Sequence, residues 1–257
     1  MSKKQPVIFI GHGSPMNAIE DNIYTHGWQE IAKRIVRPDA ILVISAHWFT
    51  DKNVINNLDL PRQIYDMYGF PAELYQLKYH PPGSPRLAEQ IIRLTQGEIQ
   101  VDNSWGIDHG TWSVLSKMFP QADIPVLQLS VNGNISADEA FNIGRELSSL
   151  RDKNVLIIGS GNIVHNLRLM DSRHLDDPFI WAQAFDDEIE KAILDRKFDK
   201  VTSYTSLSGS HLAVPYLDHF YPLLYILGLV TSKDQIEVFN KGYTFGSLSM
   251  TSYLFID

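Results

Sequence analysis

Cysteine is absent from the 257 residues. That excludes disulfides, thiolate zinc sites, iron–sulfur clusters and cysteine nucleophiles, so any metal must be held by imidazole, carboxylate or carbonyl oxygen. Long apolar runs are missing as well. The stretch from Tyr221 to Val230 is interrupted by Pro222 and Gly228 and falls short of the roughly 20 residues that span a bilayer. Behind the basic start Met1-Ser-Lys-Lys-Gln-Pro6, only Val7-Ile-Phe-Ile10 is apolar before Gly11, which is too short for a signal-peptide core. A soluble, cytoplasmic protein is expected. Basic residues are in deficit, with 22 Lys and Arg against 30 Asp and Glu, a formal charge of −8 and no basic run. This balance argues against a nucleic-acid or anionic-membrane surface and for a small-molecule partner. A domain of this size is compatible with a monomer or a homo-oligomer.

Complete glycine motifs are also lacking. Gly11-x-Gly13 and Gly159-x-Gly161 have no third glycine in register, there is no Walker loop, and neither Ser14 nor Ser160 sits in a Gly-x-Ser-x-Gly elbow. Dinucleotide binding and serine hydrolysis lose their sequence support.

What is present is a set of short runs that are apolar on both faces: Val7 to Ile10, Ala40 to Ser45, Pro125 to Leu129 and Val155 to Ile158. Such runs read as buried central strands. Helical spacing falls between them, at Trp28 to Val36, Pro85 to Thr95, Thr111 to Met118 and Asp138 to Leu150, the last behind a capping box at Ser136-Ala-Asp-Glu139. Phe179 to Lys197 is the longest helical pattern, and its run Asp186, Asp187, Glu188 and Glu190 reads as a solvated face. Gln235 to Ile256 reads as closing strands, antiparallel in part. Together these predict an α/β fold, a single three-layer domain over residues 1–257 with a central, mostly parallel (mixed) sheet flanked by helices.

Nine histidines remain to be placed. His12, His47 and His165 each follow a predicted central strand within a few residues. Ligands of open α/β sheets bind at the carboxyl ends of strands, and no packing requirement puts the same costly polar side chain at three such ends. A metal site is the economical reading. His109 precedes a helix beside Asp108, a candidate helix cap, and His219 stands at the mouth of an apolar helix. His80 belongs to the proline-rich loop Tyr79-His-Pro-Pro-Gly83, while His26, His174 and His211 have polar neighbours and read as surface residues.

Gly11-His-Gly-Ser-Pro-Met16, Ser45-Ala-His-Trp-Phe49, Trp105-Gly-Ile-Asp-His-Gly110, Gly161-Asn-Ile-Val-His-Asn166 and His219 before Pro222-Leu-Leu-Tyr225 resemble the class III extradiol ring-cleavage dioxygenases. Within that family the pattern is most similar to the 4,5-DOPA dioxygenase branch, over nearly the whole chain. The resemblance implies one divalent metal held by His12, His47 and His219, with His165 as a further ligand or as an acid/base group beside His109. It also implies Fe(II) for turnover, Zn(II) in purified protein, and a catechol and O2 as the small-molecule partners, the ring opening beside the diol to a semialdehyde. Protocatechuate-type relatives carry glutamate where this chain has His219, and imidazole in place of carboxylate shifts preference toward zinc, copper or nickel. Asp218 beside it reads as a cap or as support for His219. Trp48, Tyr68 and Phe49 are expected to stack on the substrate ring, and His80 to contact it. Two alternatives use the same residues: a zinc hydrolase, and a metal-binding protein without turnover.

Overall fold

The computed structural model describes residues 4–257; residues 1–3, the start of the basic N-terminal stretch, lie outside them. The strands are β1 (Val7–Gly11), β2 (Ala40–Thr50), β3 (Val54–Ile55), β4 (Gln100–Val101), β5 (Val126–Asn132), β6 (Val155–Gly161), β7 (Gln235–Phe239), β8 (Tyr243–Thr244), β9 (Leu248–Ser249) and β10 (Ser252–Ile256). The helices are α1 (Ile23–Arg34), α2 (Ala72–Gln76), α3 (Pro85–Leu94), α4 (His109–Met118), α5 (Ala137–Leu147), α6 (Ile180–Leu194), α7 (Phe198–Thr202), α8 (Ser210–Ala213) and α9 (Tyr221–Leu229). Eight strands form one sheet in the order β4-β3-β5-β2-β6-β1-β10-β7. Its centre, β5-β2-β6-β1, is parallel, and β10 and β7 close one side antiparallel.

The four central strands are apolar on both faces because each face has its own core. Phe9, Leu42, Ile44, Leu127, Leu129 and Ile157 point into a cluster shared with α5, α6 and α9. Their neighbours Ile8, Ile10, Ile41, Val43, Val126 and Ile158 point into the opposite one with Trp28 of α1 and Trp112 and Leu115 of α4. Alternation along a strand therefore distributes side chains between two layers. The apolar stretch Tyr221 to Leu229 is α9, buried along its whole length. Among the described residues no helix is long and apolar enough to cross a membrane.

The capping box at Ser136 is present, with Glu139 N–H donating to Ser136 Oγ (3.2 Å) and Ser136 N–H to Glu139 Oε2 (2.7 Å). Helix α1 begins earlier than its apolar spacing suggests. Asn22 caps it, accepting from Tyr24 and Thr25 N–H, while Thr25 Oγ1 accepts from Asn22 N–H. The acidic run of α6 is not wholly solvated: Asp186 is buried, and Tyr243, Ser249 and Thr251 all donate hydroxyl protons to its Oδ2. It shares the inward stripe of Ala182, Ile189 and Ile193, whereas Asp187 and Glu188 are exposed.

Among the described residues one ion pair lies fully inside. Arg151 Nη1 donates to Asp234 Oδ2 (2.8 Å), Nη2 to Oδ1, and Nε to the Gln5 carbonyl. Removing one partner strands the other charge, so Asp234→Ala is expected to cost about 3–5 kcal/mol in urea denaturation. The pair also sets an acid limb. Burial alone would raise the Asp234 carboxyl, but Arg151 and the Thr231 N–H outweigh it and hold it low. The unfolded chain takes up this proton near pH 4 while the folded chain does not, so stability falls as pH drops from there through the folded value. Asp234→Asn should flatten that limb in thermal melts at graded pH.

Candidate metal centre

At the carboxyl ends of the central strands, five imidazoles come together. His12 directly follows β1, and its N–H donates to the Gly161 carbonyl (3.0 Å). Its Nδ1 lies 3.0 Å from Ser160 Oγ, and that hydroxyl gives its own proton to the Gly110 carbonyl at 2.6 Å. The serine oxygen must therefore accept, so His12 carries its hydrogen on Nδ1 and a lone pair on Nε2.

His47 depends on an irregularity in β2. Between Ile44 and Phe49 the strand advances five residues while β5 advances two, from Leu129 to Val131, and such a bulge re-aims the side chains on it. His47 Nδ1 lies 3.2 Å from Asp66 Oδ2. His109 is the first residue of α4; its N–H donates to Asp66 Oδ1 (2.9 Å) and its Nδ1 to Oδ2 (2.8 Å). His165, beyond β6, pairs by its backbone with Leu248 and stacks on His219 with ring centres 3.4 Å apart.

His219 is delivered by the close approach of the segment leading into α9. A Cβ on Gly161 would stand 2.1 Å from the His219 carbonyl oxygen, and that oxygen accepts from Asn162 N–H (2.9 Å). The glycine pair Gly159 and Gly161 thus admits this backbone against β6. Asp218 accepts from the His219 N–H (2.8 Å) and is not the helix cap, which is Phe220. Burial opposes ionisation of Asp218, but His219 outweighs it and brings the carboxyl down to about 2.

Electrostatics keep much of the cluster neutral. Burial first, and then the neighbouring imidazoles, push His12 and His165 well below the ordinary histidine value. His219 is lowered mainly by burial. Asp66 is held well below the usual carboxylate range, because the hydrogen bonds from His109 and His47 outweigh its burial. Asp108, fully buried, is pushed up to about 6 by burial and by the charge of Asp66. Its side chain makes no cap to α4, contrary to expectation; it accepts from Ser45 Oγ (2.7 Å), Trp105 Nε1 (3.1 Å) and Gln128 Nε2.

Three observations fit a metal ion here. His12 Nε2 and His47 Nε2 face each other at 3.1 Å, close enough for both to bind one cation, and His12 Nε2 offers a lone pair there because its hydrogen is on Nδ1. His219 Nδ1 is buried, and its near neighbour is the Asp218 carboxylate at 3.2 Å, out of line for a hydrogen bond. Ring nitrogens of His12, His47 and His109 all lie within 4.8 Å of one another, and the rings of His12, His47 and His219 form a nearly equilateral triangle with sides of 5.0, 5.2 and 5.0 Å. Three imidazoles on one tetrahedral ion, with metal–nitrogen distances of about 2.0–2.1 Å, place their ring centres about 5 Å apart. Stripping metal with a chelator is expected to lower the melting temperature by roughly 5 °C or more, because an ion bound only by the folded state stabilises it. Differential scanning fluorimetry before and after zinc is restored checks this.

Trp48 is buried in β2, Phe49 is half exposed, and Tyr68 is 92 % exposed, two residues beyond Asp66. His80 is exposed in its loop, as are His26 and His211, and His174 is half-buried against Phe179. Asp66 is the site residue that the sequence pattern did not reveal. It sits in an irregular segment held over α4 by the Ile64 N–H bond to the Ile107 carbonyl (2.9 Å).

A three-layer α/β fold here gathers, at its strand ends, histidines that can hold a metal ion. The chain belongs to the family of catalytic LigB subunits of aromatic ring-opening dioxygenases, which matches residues 6–256. It is 40 % identical to the 4,5-DOPA dioxygenase extradiol of Escherichia coli, over 98 % of this chain and 94 % of that one. It is also 40 % identical to the protein of the same name in Beta vulgaris, over 96 % and 95 % of the two chains. The crystal structure of an uncharacterized Escherichia coli protein superposes with a TM-score of 0.86 at 37 % identity, covering 98 % of this chain and 99 % of that one. Family and histidine cluster together make this a histidine-ligated, metal-dependent extradiol ring-cleaving dioxygenase.

Proposed function

We propose that the enzyme opens the ring of a catechol such as DOPA beside its diol, at a single divalent ion held by His12, His47 and His219. The observation that carries the ligand choice is the equal spacing of those three rings. His109 breaks that symmetry, with its ring 3.8 Å from His47 and 5.8 Å from His12. When bound, the metal supplies positive charge that favours the ionised diol, and Fe(II), unlike Zn(II), adds the redox chemistry that oxygen activation requires. Zn(II) suits a three-imidazole set and is the ion expected in protein purified in air.

The chain's own side chains supply proton handling. His109 keeps its hydrogen on Nδ1, bound to Asp66, which leaves Nε2 free to take a hydroxyl proton and return it later. His165, stacked on His219 and kept neutral by burial, serves as the second acid/base group. Of the aromatic candidates, Tyr68 has a free ring two residues beyond Asp66, and we assign it the contact with the substrate ring.

The test is oxygen uptake after anaerobic loading with Fe(II). One O2 consumed per L-DOPA, with a yellow ring-opened product, is expected. No uptake across a panel of catechols, or metal-dependent ester or amide cleavage instead, would overturn the reading.

A further inference from the structure

We propose that Asp66 is a positioning residue that ties His47 to His109 and sets the tautomer of both rings with one carboxylate. The inference rests on the roles proposed above for those two histidines. An ionised carboxylate can only accept hydrogen bonds. Around Asp66 stand the His109 N–H on Oδ1 (2.9 Å), the His109 Nδ1 on Oδ2 (2.8 Å) and the His47 Nδ1 on the same Oδ2 at 3.2 Å. His109 must then present Nδ1–H to the carboxylate, and the same negative oxygen 3.2 Å from His47 Nδ1 favours the hydrogen on that nitrogen as well. The Nε2 lone pairs of the two rings are turned elsewhere, His47 toward His12 and His109 to act as a base.

The carboxylate is itself fixed. Ile64 N–H donates to the Ile107 carbonyl (2.9 Å), Ile107 N–H to the Arg62 carbonyl (2.8 Å), and Trp112 Nε1 to the Ile64 carbonyl (2.9 Å). These bonds dock the Asp66 segment onto the residues that lead into α4. A second link runs deeper: Ser45 Oγ, which accepts weakly from the His47 N–H (3.3 Å), donates to Asp108 immediately before His109. The ligand-bearing bulge of β2 and the start of α4 are thereby locked in register, and Asp66 is the part of that lock that touches both rings.

Asp66→Asn is nearly isosteric but replaces one acceptor oxygen with a donor, so it must confront either the His109 N–H or the two Nδ1–H groups. Supports of this kind are worth about 10–100-fold when they orient a ligand, and more when they set the tautomer of a base. The experiment compares wild type, Asp66→Asn and Asp66→Glu by kcat, KM, metal content, and nitrogen NMR of the histidine rings in zinc-loaded protein. The expected result is Nδ1–H signals for His47 and His109 in wild type. In Asp66→Asn, His109 should change tautomer and kcat should fall about 100-fold at a KM within roughly threefold of wild type; Asp66→Glu should recover part of the loss. Nε2–H signals for both rings in wild type, or wild-type kcat in Asp66→Asn, would overturn the inference. The NMR of wild type needs neither turnover nor a folded variant. Absence of oxygen uptake by the wild type would therefore count against the dioxygenase reading, and the ring signals would still decide the role of Asp66.

Discussion

His12→Ala and His47→Ala are each expected to lose bound metal and turnover together, with kcat below about a thousandth of wild type. The reason is the facing pair of nitrogens. His12 Nε2 and His47 Nε2 stand 3.1 Å apart, and each ring is oriented by a partner on its far side, Ser160 for His12 and Asp66 for His47. Removing either ring takes away one of the two facing nitrogens and leaves only two imidazoles of the triangle. His219→Ala should behave in the same way. His109→Ala should differ, retaining the metal while losing rate, because its ring lies outside the evenly spaced triangle. Metal analysis of each purified variant beside its kcat makes the comparison. Loss of metal from His109→Ala would exchange the roles of His109 and His219.

Gly161→Ala is expected to damage both fold and site, although glycine has no side chain to contribute. The added methyl would stand 2.1 Å from the His219 carbonyl oxygen and 3.1 Å from its carbon. These are backbone atoms, so the segment entering α9 must move. Overpacking of this kind costs about 1–3 kcal/mol, and loss of the Asn162 N–H bond to that carbonyl (2.9 Å) adds about 1 kcal/mol. His219 moves with its carbonyl. A displacement near 1 Å in a positioned group can cost about a hundredfold in rate, so kcat should fall by that order alongside a lower melting temperature. Wild-type activity in this variant would show that α9 can shift without carrying the site.

Much of this arrangement was readable from the sequence, for a physical reason. The central strands are buried on both faces and so lack polar positions, and His12 and His165 follow their ends within a few residues. The bulge that aims His47 was not readable, since it exists only as a mismatch between β2 and β5. Asp66 carried no signal because its partners are distant in sequence and its segment has neither helical nor strand periodicity. Asp186 illustrates a different failure. A charge run shows that a helix is polar somewhere, while the stripe of Ala182, Ile189 and Ile193 decides which of its acids turns inward, and three hydroxyls from the C-terminal segment make that burial tolerable. Asp108 had the position of a helix cap, but Ser45, Trp105 and Gln128 draw its oxygens away from the helix N–H groups.

The central claim is that three imidazoles at the strand ends hold one metal ion at which a catechol ring is opened outside its diol. The most direct measurement is mass spectrometry of the product formed by Fe(II)-loaded enzyme from L-DOPA under heavy-isotope dioxygen. The expected product has the mass of the substrate plus both atoms of one O2, and it fragments as a semialdehyde cut beside the diol. A diacid cut between the two hydroxyl-bearing carbons, or recovered substrate with no label, would contradict it.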